Sequence, residues 1–372
     1  MSKEILLYTP GPTRIPPEVQ VEMSRPMIHH RSDEFEKIFA SLRNNLHLLS
    51  QTDGESVVLT GSGTAAMEAT IVSLFSPSDH VVIVDGGKFG QRWATLAQRY
   101  RLSFTVIQKP WGRAATIEDV MPHIFPHTRG VLMQACESST GVYNPIEKIG
   151  QAIHAAHPHI LFVVDAITAF GIYPLSMITH HIDGLIFASQ KALMSAPGLS
   201  GVILSKKAIS HLRVTQSLYL SLIHELESQK KNRPAFTPAV SLIRGLEKST
   251  DMIVNEGMKC VHERHLRMRN IARGFFHALG FQCFASEEES SLGITSVRTI
   301  PGVNIEHWLD SLRNEHGILL ASGQGELKGA IFRMAHMGYC SENDVISACK
   351  IMLQSLQKIL PTNKAQEFLN QS

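Results

Sequence analysis

Between Glu55 and about Lys206, short β-branched runs alternate with helix-length stretches, and this alternation leaves few folds open to the chain. The runs are Ser56–Leu59, His80–Val84, Leu102–Ile107, Gly130–Gln134, Ile160–Val164, Gly184–Ala188 and Gly201–Leu204. Strands separated by helices imply βαβ units and a mostly parallel sheet. The runs are apolar throughout, as expected where helices cover both sheet faces. The fold class is therefore α/β, built on one large sheet domain.

The flanks add helices and a second block. Phe35, Ile38, Phe39, Leu42, Leu46 and Leu49 place one apolar face on a helix over Ser32–Gln51, capped by Ser32 or Asp33. After Pro238 the pattern turns helical as far as Gly280. A smaller α/β block follows, with strands expected at Ile294–Thr299, Ile318–Ala321 and Ala330–Met334. The capping box Ser341 to Asp344 opens a last helix, and the tail from Pro361 reads as polar and frayed.

Composition narrows the function. With 372 residues, 44% of them hydrophobic, the chain can fill a full core and is not disordered. A net charge of +2 without a basic run points away from nucleic acid and anionic membranes. The five cysteines (Cys136, Cys260, Cys283, Cys340, Cys349) form no CxxC pair and read as buried free thiols. Met1 to Pro12 lacks the layout of a secretory signal, and no apolar run reaches the ~20 residues of a membrane span. A soluble, cytoplasmic protein is expected. His180-His181 diverge as neighbours, and His262 and His265 lack a third ligand, so no metal site is expected.

Ligands of open parallel sheets bind beyond the carboxyl ends of the strands. There the chain carries Thr60-Gly-Ser-Gly-Thr64, Asp85-Gly-Gly-Lys-Phe-Gly90, Glu137-Ser-Ser-Thr-Gly141, Asp165 and Ser189-Gln-Lys191. The Gly61–Thr64 turn suits a phosphate, because glycines admit the backbone and a helix N-terminus offers free N–H groups. The same stretch, Gly61-x-Gly63-x-x-Ala66 with Asp85 beyond it, also satisfies the dinucleotide fingerprint, so an NAD-dependent dehydrogenase stays open. Asp165 and Lys191 favour another cofactor. Pyridoxal 5′-phosphate (PLP) needs an acid beside its ring nitrogen and a lysine for its aldehyde. Lys206 and Lys207 follow a strand too, but read as a solvated pair entering a helix.

Nine motifs in register carry a resemblance. They are Thr9-Pro-Gly-Pro-Thr13, His30-Arg-Ser-x-Glu-Phe35, Gly61-Ser-Gly-Thr-Ala-Ala-Met-Glu68, Phe89-Gly-Gln-Arg92, Glu137-Ser-Ser-Thr-Gly141, Val164-Asp-Ala166, Ser189-Gln-Lys-Ala192, Phe236-Thr-Pro238 and Phe332-Arg-Met334. The chain resembles the class V aminotransferases of PLP fold-type I, in particular the alanine–glyoxylate and serine–pyruvate group. That resemblance implies a large domain (16–255) with a mostly parallel seven-stranded sheet between helices. An N-terminal segment (1–15) at the active site and a smaller C-terminal α/β domain (256–372) would complete it.

It also implies roles. Ser62, Gly63 and Thr64 would hold the PLP phosphate, Phe89 would stack on the ring, and Ile167 would pack on its other face. Ser138 or Ser139 would approach the ring hydroxyl, and Gln190 the phosphate or ring oxygen. Asp165 would pair with the ring nitrogen, and Lys191 would be the Schiff-base residue and proton shuttle. Arg333 would grip the substrate α-carboxylate and Gly11 would line its pocket. Thr237 would reach the phosphate of a partner subunit in a homodimer, although Arg233-Pro-Ala-Phe-Thr-Pro departs from the usual pattern. The implied reaction is transamination between a small L-amino acid (alanine or serine favoured, aspartate or aminoethylphosphonate as alternatives) and a 2-oxo acid such as glyoxylate or pyruvate.

Overall fold

A computed structural model describes residues 5–300, 304–357 and 363–371. The chain opens with β1 (Leu6–Leu7), α1 (Pro17–Ser24) and α2 (Asp33–Ser50). Ser32 caps α2 by accepting from the Phe35 N–H at 3.3 Å, and Asp33, Glu34 and Glu36 sit where the helix dipole favours acids. Phe35, Phe39, Leu42, Leu46 and Leu49 form its buried stripe.

The sheet is built from β2 (Glu55–Thr60), β3 (His80–Asp85), β4 (Ser103–Gln108), β5 (Thr128–Gln134), the side hairpin β6 (Cys136–Glu137) and β7 (Val142–Tyr143), then β8 (Leu161–Asp165), β9 (Gly184–Ala188) and β10 (Leu199–Leu204). Leaving the hairpin aside, seven strands lie in the order β2-β10-β9-β8-β5-β3-β4. All pairs are parallel except those of β10, which runs antiparallel to both β2 and β9. Alternate residues of each strand feed two separate cores. Val58, Val82, Met133, Phe162 and Leu185 belong to the core that includes the buried face of α2, while Val57, Val81, Leu132, Val163 and Ile186 belong to the one shared with α3 (Gly63–Leu74) and α4 (Lys88–Arg99). Burying each such side chain contributes about 1.5–3 kcal/mol, which ties register to both layers at once.

Beyond the sheet come α5 (Ile117–Val120), α6 (Ile146–Ala156), α7 (Lys206–Ser210), α8 (Leu222–Gln229), α9 (Val240–Glu256) and α10 (Met258–Ala278). The helical stretch after Pro238 is thus two helices, broken at Gly257, whose φ of 83° suits glycine. A third core, including Met268, Phe275, Phe276, Trp308 and Phe332, gathers α10, β11 (Ile294–Arg298), α11 (Ile305–Ser311), β14 (Ile331–Ala335) and α12 (Glu342–Leu356). Tyr8 joins this core, since β1 pairs in parallel with β12 (Ile318–Leu319).

Four expectations need correction. The strand over Ile318–Ala321 is two: β12 pairs with β1, whereas β13 (Ala321–Ser322) turns to pair with β14. Residues 361–362 and 372 lie outside the described residues, but Asn363–Gln371 of the tail form α13, with Ala365 and Leu369 buried in the third core. Its apolar spacing is short enough to pass for a polar tail. Lys207 is half-buried, with its Nζ on Asp183 at 2.9 Å, because the turn after β10 folds it back under the sheet. Cys260 is exposed on α10 and Cys283 half-buried, so only Cys136, Cys340 and Cys349 are buried thiols. Among the described residues no helix is long and apolar enough to cross a membrane, and no group of three metal-ligating side chains occurs.

Candidate active site

The carboxyl ends of β2, β3, β5, β8 and β9 converge, and topology alone brings Gly63, Phe89, Glu137, Asp165 and Lys191 together. Ser62 is the N-cap of α3 but caps no N–H with its side chain; its carbonyl accepts from Ser200 Oγ at 2.9 Å. The first turn of α3 at Gly63 and Thr64 is therefore open to an anion. A Cβ at Gly63 would meet Ile167 Cδ1 at 2.4 Å, so only glycine lets this turn lie against the Ile167 side chain.

Asp165 ends β8 and is 5% exposed. Its Oδ1 accepts from the Ile167 N–H at 3.0 Å. Burial pushes its pKa up to about 6; the Ile167 N–H opposes this shift, the Glu137 carboxylate reinforces it, and Arg92 and Lys191 pull against it. Lys191 answers from the other side. Its Nζ donates to the Pro10 carbonyl and, among the described residues, makes no ion pair. Burial pulls its pKa down to about 8, Asp165 opposes that shift, and Arg333 adds to it. The N-terminal segment closes over this lysine. Thr13 bonds the Gln190 and Lys191 carbonyls at 3.1 and 2.9 Å, and a Cβ at Gly11 would lie 2.5 Å from Lys191 Nζ.

Arg333 projects from β14 of the smaller sheet and is 3% exposed. Its Nη1 donates to the Ser138 carbonyl at 2.8 Å and its Nη2 to the Ser322 carbonyl at 2.7 Å. Burial lowers its pKa to about 10, with Glu137 pulling the other way. Ser139 is buried, its hydroxyl accepting from the Lys88 N–H at 3.1 Å, and the Phe89 ring carries the Arg92 guanidinium 4.8 Å from its centroid. Gln190 Oε1 and Arg333 Nε are buried and have no hydrogen-bond partner among the described residues. Thr237 is not drawn in; it stays exposed, bordering a groove of residues 27–30 and 238–242.

Sequence reasoning passed over three residues at this edge. Glu137, Cys136 and Gln134 are all buried here, and each acts electrostatically or by position on Asp165. Glu137 was visible as the first letter of its motif, whereas Cys136 and Gln134 carry no signal beyond lying at the end of a strand. The residues present fit PLP: an uncapped helix N-terminus for a phosphate, a buried acid, an unpaired amine, and orphaned polar atoms at Gln190 and Arg333.

The description "Aminotransferase class-V" matches residues 5–340. Over 98% of this chain and 96% of its own length, a protein named soluble hydrogenase small subunit from Synechococcus sp. is 33% identical. An L-aspartate–glyoxylate aminotransferase from Paracoccus denitrificans is 29% identical over 93% of this chain and 90% of its own. The solved alanine–glyoxylate aminotransferase from Nostoc sp. superposes with a TM-score of 0.90 at 27% identity, covering 96% of both chains. The dehydrogenase alternative falls with these matches, and the fold is that of PLP fold-type I. The chain belongs to the class V aminotransferases, which are PLP-dependent.

Proposed function

We propose that the protein transaminates a small L-amino acid, alanine or serine before aspartate or aminoethylphosphonate, against glyoxylate or pyruvate. The observation that carries this reading is the buried Lys191 amine, which rests on the Pro10 carbonyl without an ion pair among the described residues and lies in the fields of the Asp165 carboxyl and the Arg333 guanidinium. Residues 16–255 would form the cofactor domain, 256–372 the smaller domain, and 1–15 the strip that covers Lys191.

PLP, when bound, supplies the electron sink and the aldehyde that accepts the amino group. Ser62, Gly63 and Thr64 hold its phosphate at the open end of α3, with Gln190 beside it, and Ser138 or Ser139 approaches the ring hydroxyl. Phe89 and Ile167 would confine the ring from its two faces. Asp165 would lie at the ring nitrogen, where its carboxylate would keep that nitrogen protonated. Arg333 would bind the donor's α-carboxylate with the N–H groups of its fork that the Ser138 and Ser322 carbonyls leave over, its Nε among them. Lys191 Nζ takes the α-proton from the donor and, in the reverse half, delivers one to the acceptor's α-carbon. Its pKa of about 8 lets both protonation states serve near neutral pH. Gly11 shapes the pocket, and Thr237 reaches the phosphate of a second copy in a homodimer.

Alanine and serine are preferred because, among the described residues, the second arginine at this edge, Arg92, lies over the Phe89 ring and is not hydrogen-bonded beside Arg333 as a second carboxylate anchor. The Paracoccus relative, named for L-aspartate and glyoxylate, keeps aspartate as the next donor to try. The test is the amino half-reaction, followed by the loss of near-visible cofactor absorbance. Alanine or serine should bleach the protein at least about tenfold faster than aspartate or 2-aminoethylphosphonate. Faster bleaching by aspartate would move the donor assignment, and bleaching by none of the four would sink the transaminase reading.

A further inference from the structure

Glu137 is a buried carboxylate to which the roles above give no task, and it is the most heavily bonded side chain at the site. Its Oε2 accepts from the Phe89 and Gly90 N–H groups at 3.0 and 3.1 Å. Its Oε1 accepts from the Ser139 N–H at 3.1 Å and from the Ser139 hydroxyl. That hydroxyl accepts in turn from the Lys88 N–H at 3.1 Å, so its own hydrogen is committed to Glu137. The fit is tight: a Cβ at Gly87 would lie 2.6 Å from Glu137 Cδ and 2.5 Å from Ser139 Oγ.

We propose that Glu137 is the positioning residue of the site. It clamps the first turn of α4, and with it Phe89, to the Ser138–Ser139 turn on which Arg333 rests. One carboxylate thereby fixes the plane of the cofactor ring relative to the anchor for the substrate carboxylate. This inference rests on the cofactor and substrate roles proposed above.

The bonding pattern admits only an ionised acid. Every approach to the two oxygens is taken by a donor, and the α4 N-terminus adds its positive end. Burial pushes the Glu137 pKa up, and the four donors oppose that shift. Its charge also serves the neighbours. Among the described residues Arg333 makes no ion pair, and Glu137 is the acid whose field offsets the burial of its guanidinium. An amide cannot replace this carboxylate. Whichever way a glutamine turned, its NH2 would face a backbone N–H, either of Phe89 and Gly90 or of Ser139.

The experiment compares holoenzymes of wild type, Glu137→Gln, Ser139→Ala and Asp183→Asn. Asp183 is a buried acid too, just before β9 at the sheet edge away from the site, and so controls for a structural loss. The readouts are visible circular dichroism of the bound cofactor, which follows the ring's asymmetric placement, and kcat and KM for the donor. Glu137→Gln should change the dichroic band and lower kcat/KM by about 100-fold, with both kcat and KM affected. Ser139→Ala should move both readouts the same way, by a few-fold, and stands in should Glu137→Gln fail to fold. Asp183→Asn should lower the melting temperature with the band unchanged. A Glu137→Gln protein that melts earlier yet keeps the wild-type band and kinetics would overturn the proposal, as would an unaltered Ser139→Ala. A wild type that gains no visible band with PLP would instead defeat the cofactor reading.

Discussion

The two ends of strand β9 treat a buried charge in opposite ways. At its start, Asp183 accepts from the Phe162 N–H at 3.0 Å, Ser205 Oγ at 2.8 Å and Lys207 Nζ at 2.9 Å. At its far end, among the described residues, Lys191 has one carbonyl and Asp165 one backbone N–H. Buried charges are tolerated when paired and costly when not. Asp183 and Lys207 satisfy one another and hold the sheet's closed edge. Lys191, Asp165 and Arg333 leave donors and acceptors facing a common space, which is the mark of groups held for a ligand.

The comparison breaks first at Lys191. Lys191→Ala should lower turnover by about 10⁴-fold while leaving the melting temperature unchanged or raised, since a buried amine without a counter-ion is removed; steady-state rates beside a thermal melt check both halves. Next is Asp165→Asn, for which about 10²-fold loss of turnover is expected; full activity would contradict the electron-sink role. The same variant sharpens the electrostatics. In the cofactor-free protein the folded pKa of Asp165 is raised from 3.8 to about 6, so the folded state binds the extra proton between those values. Stability should fall as pH rises through that window, and Asp165→Asn should flatten the slope in chemical-denaturation curves.

At the closed edge the balance reverses. Asp183→Asn weakens one buried, partly solvated pair and should cost about 2–3 kcal/mol in denaturant melts, with turnover per folded molecule intact. The smallest effect is expected at Ser200→Ala. Losing the hydroxyl on the Ser62 carbonyl removes about 1 kcal/mol of support for the α3 N-terminus, a several-fold loss of PLP affinity by titration.

Much of this asymmetry was legible before the structure. The seven runs became the seven strands within a residue or two, because apolar β-branched stretches bounded by glycine have few alternatives. The site's backbone was legible for the same reason: strand ends point to one edge, and Asp165, Lys191 and Gly63 follow strands directly. What could not be read was the pairing. Lys191 and Lys207 both follow strands, and β10 running antiparallel is what carries Lys207 to the opposite edge. Two of Glu137's four donors, the Phe89 and Gly90 N–H groups, lie 48 and 47 residues before it, a contact no local pattern encodes. The tail helix escaped because its burial depends on α10, whose Gly274 leaves no space for a Cβ beside Phe368.

The central claim is that the unpaired amine of Lys191 is held for the cofactor aldehyde. Borohydride reduction of the PLP-loaded protein, followed by peptide mapping, tests it directly. The account predicts loss of the visible band and a pyridoxyl adduct on the peptide containing Lys191. A protein that stays colourless with PLP, or an adduct on any other lysine such as Lys207, would contradict it.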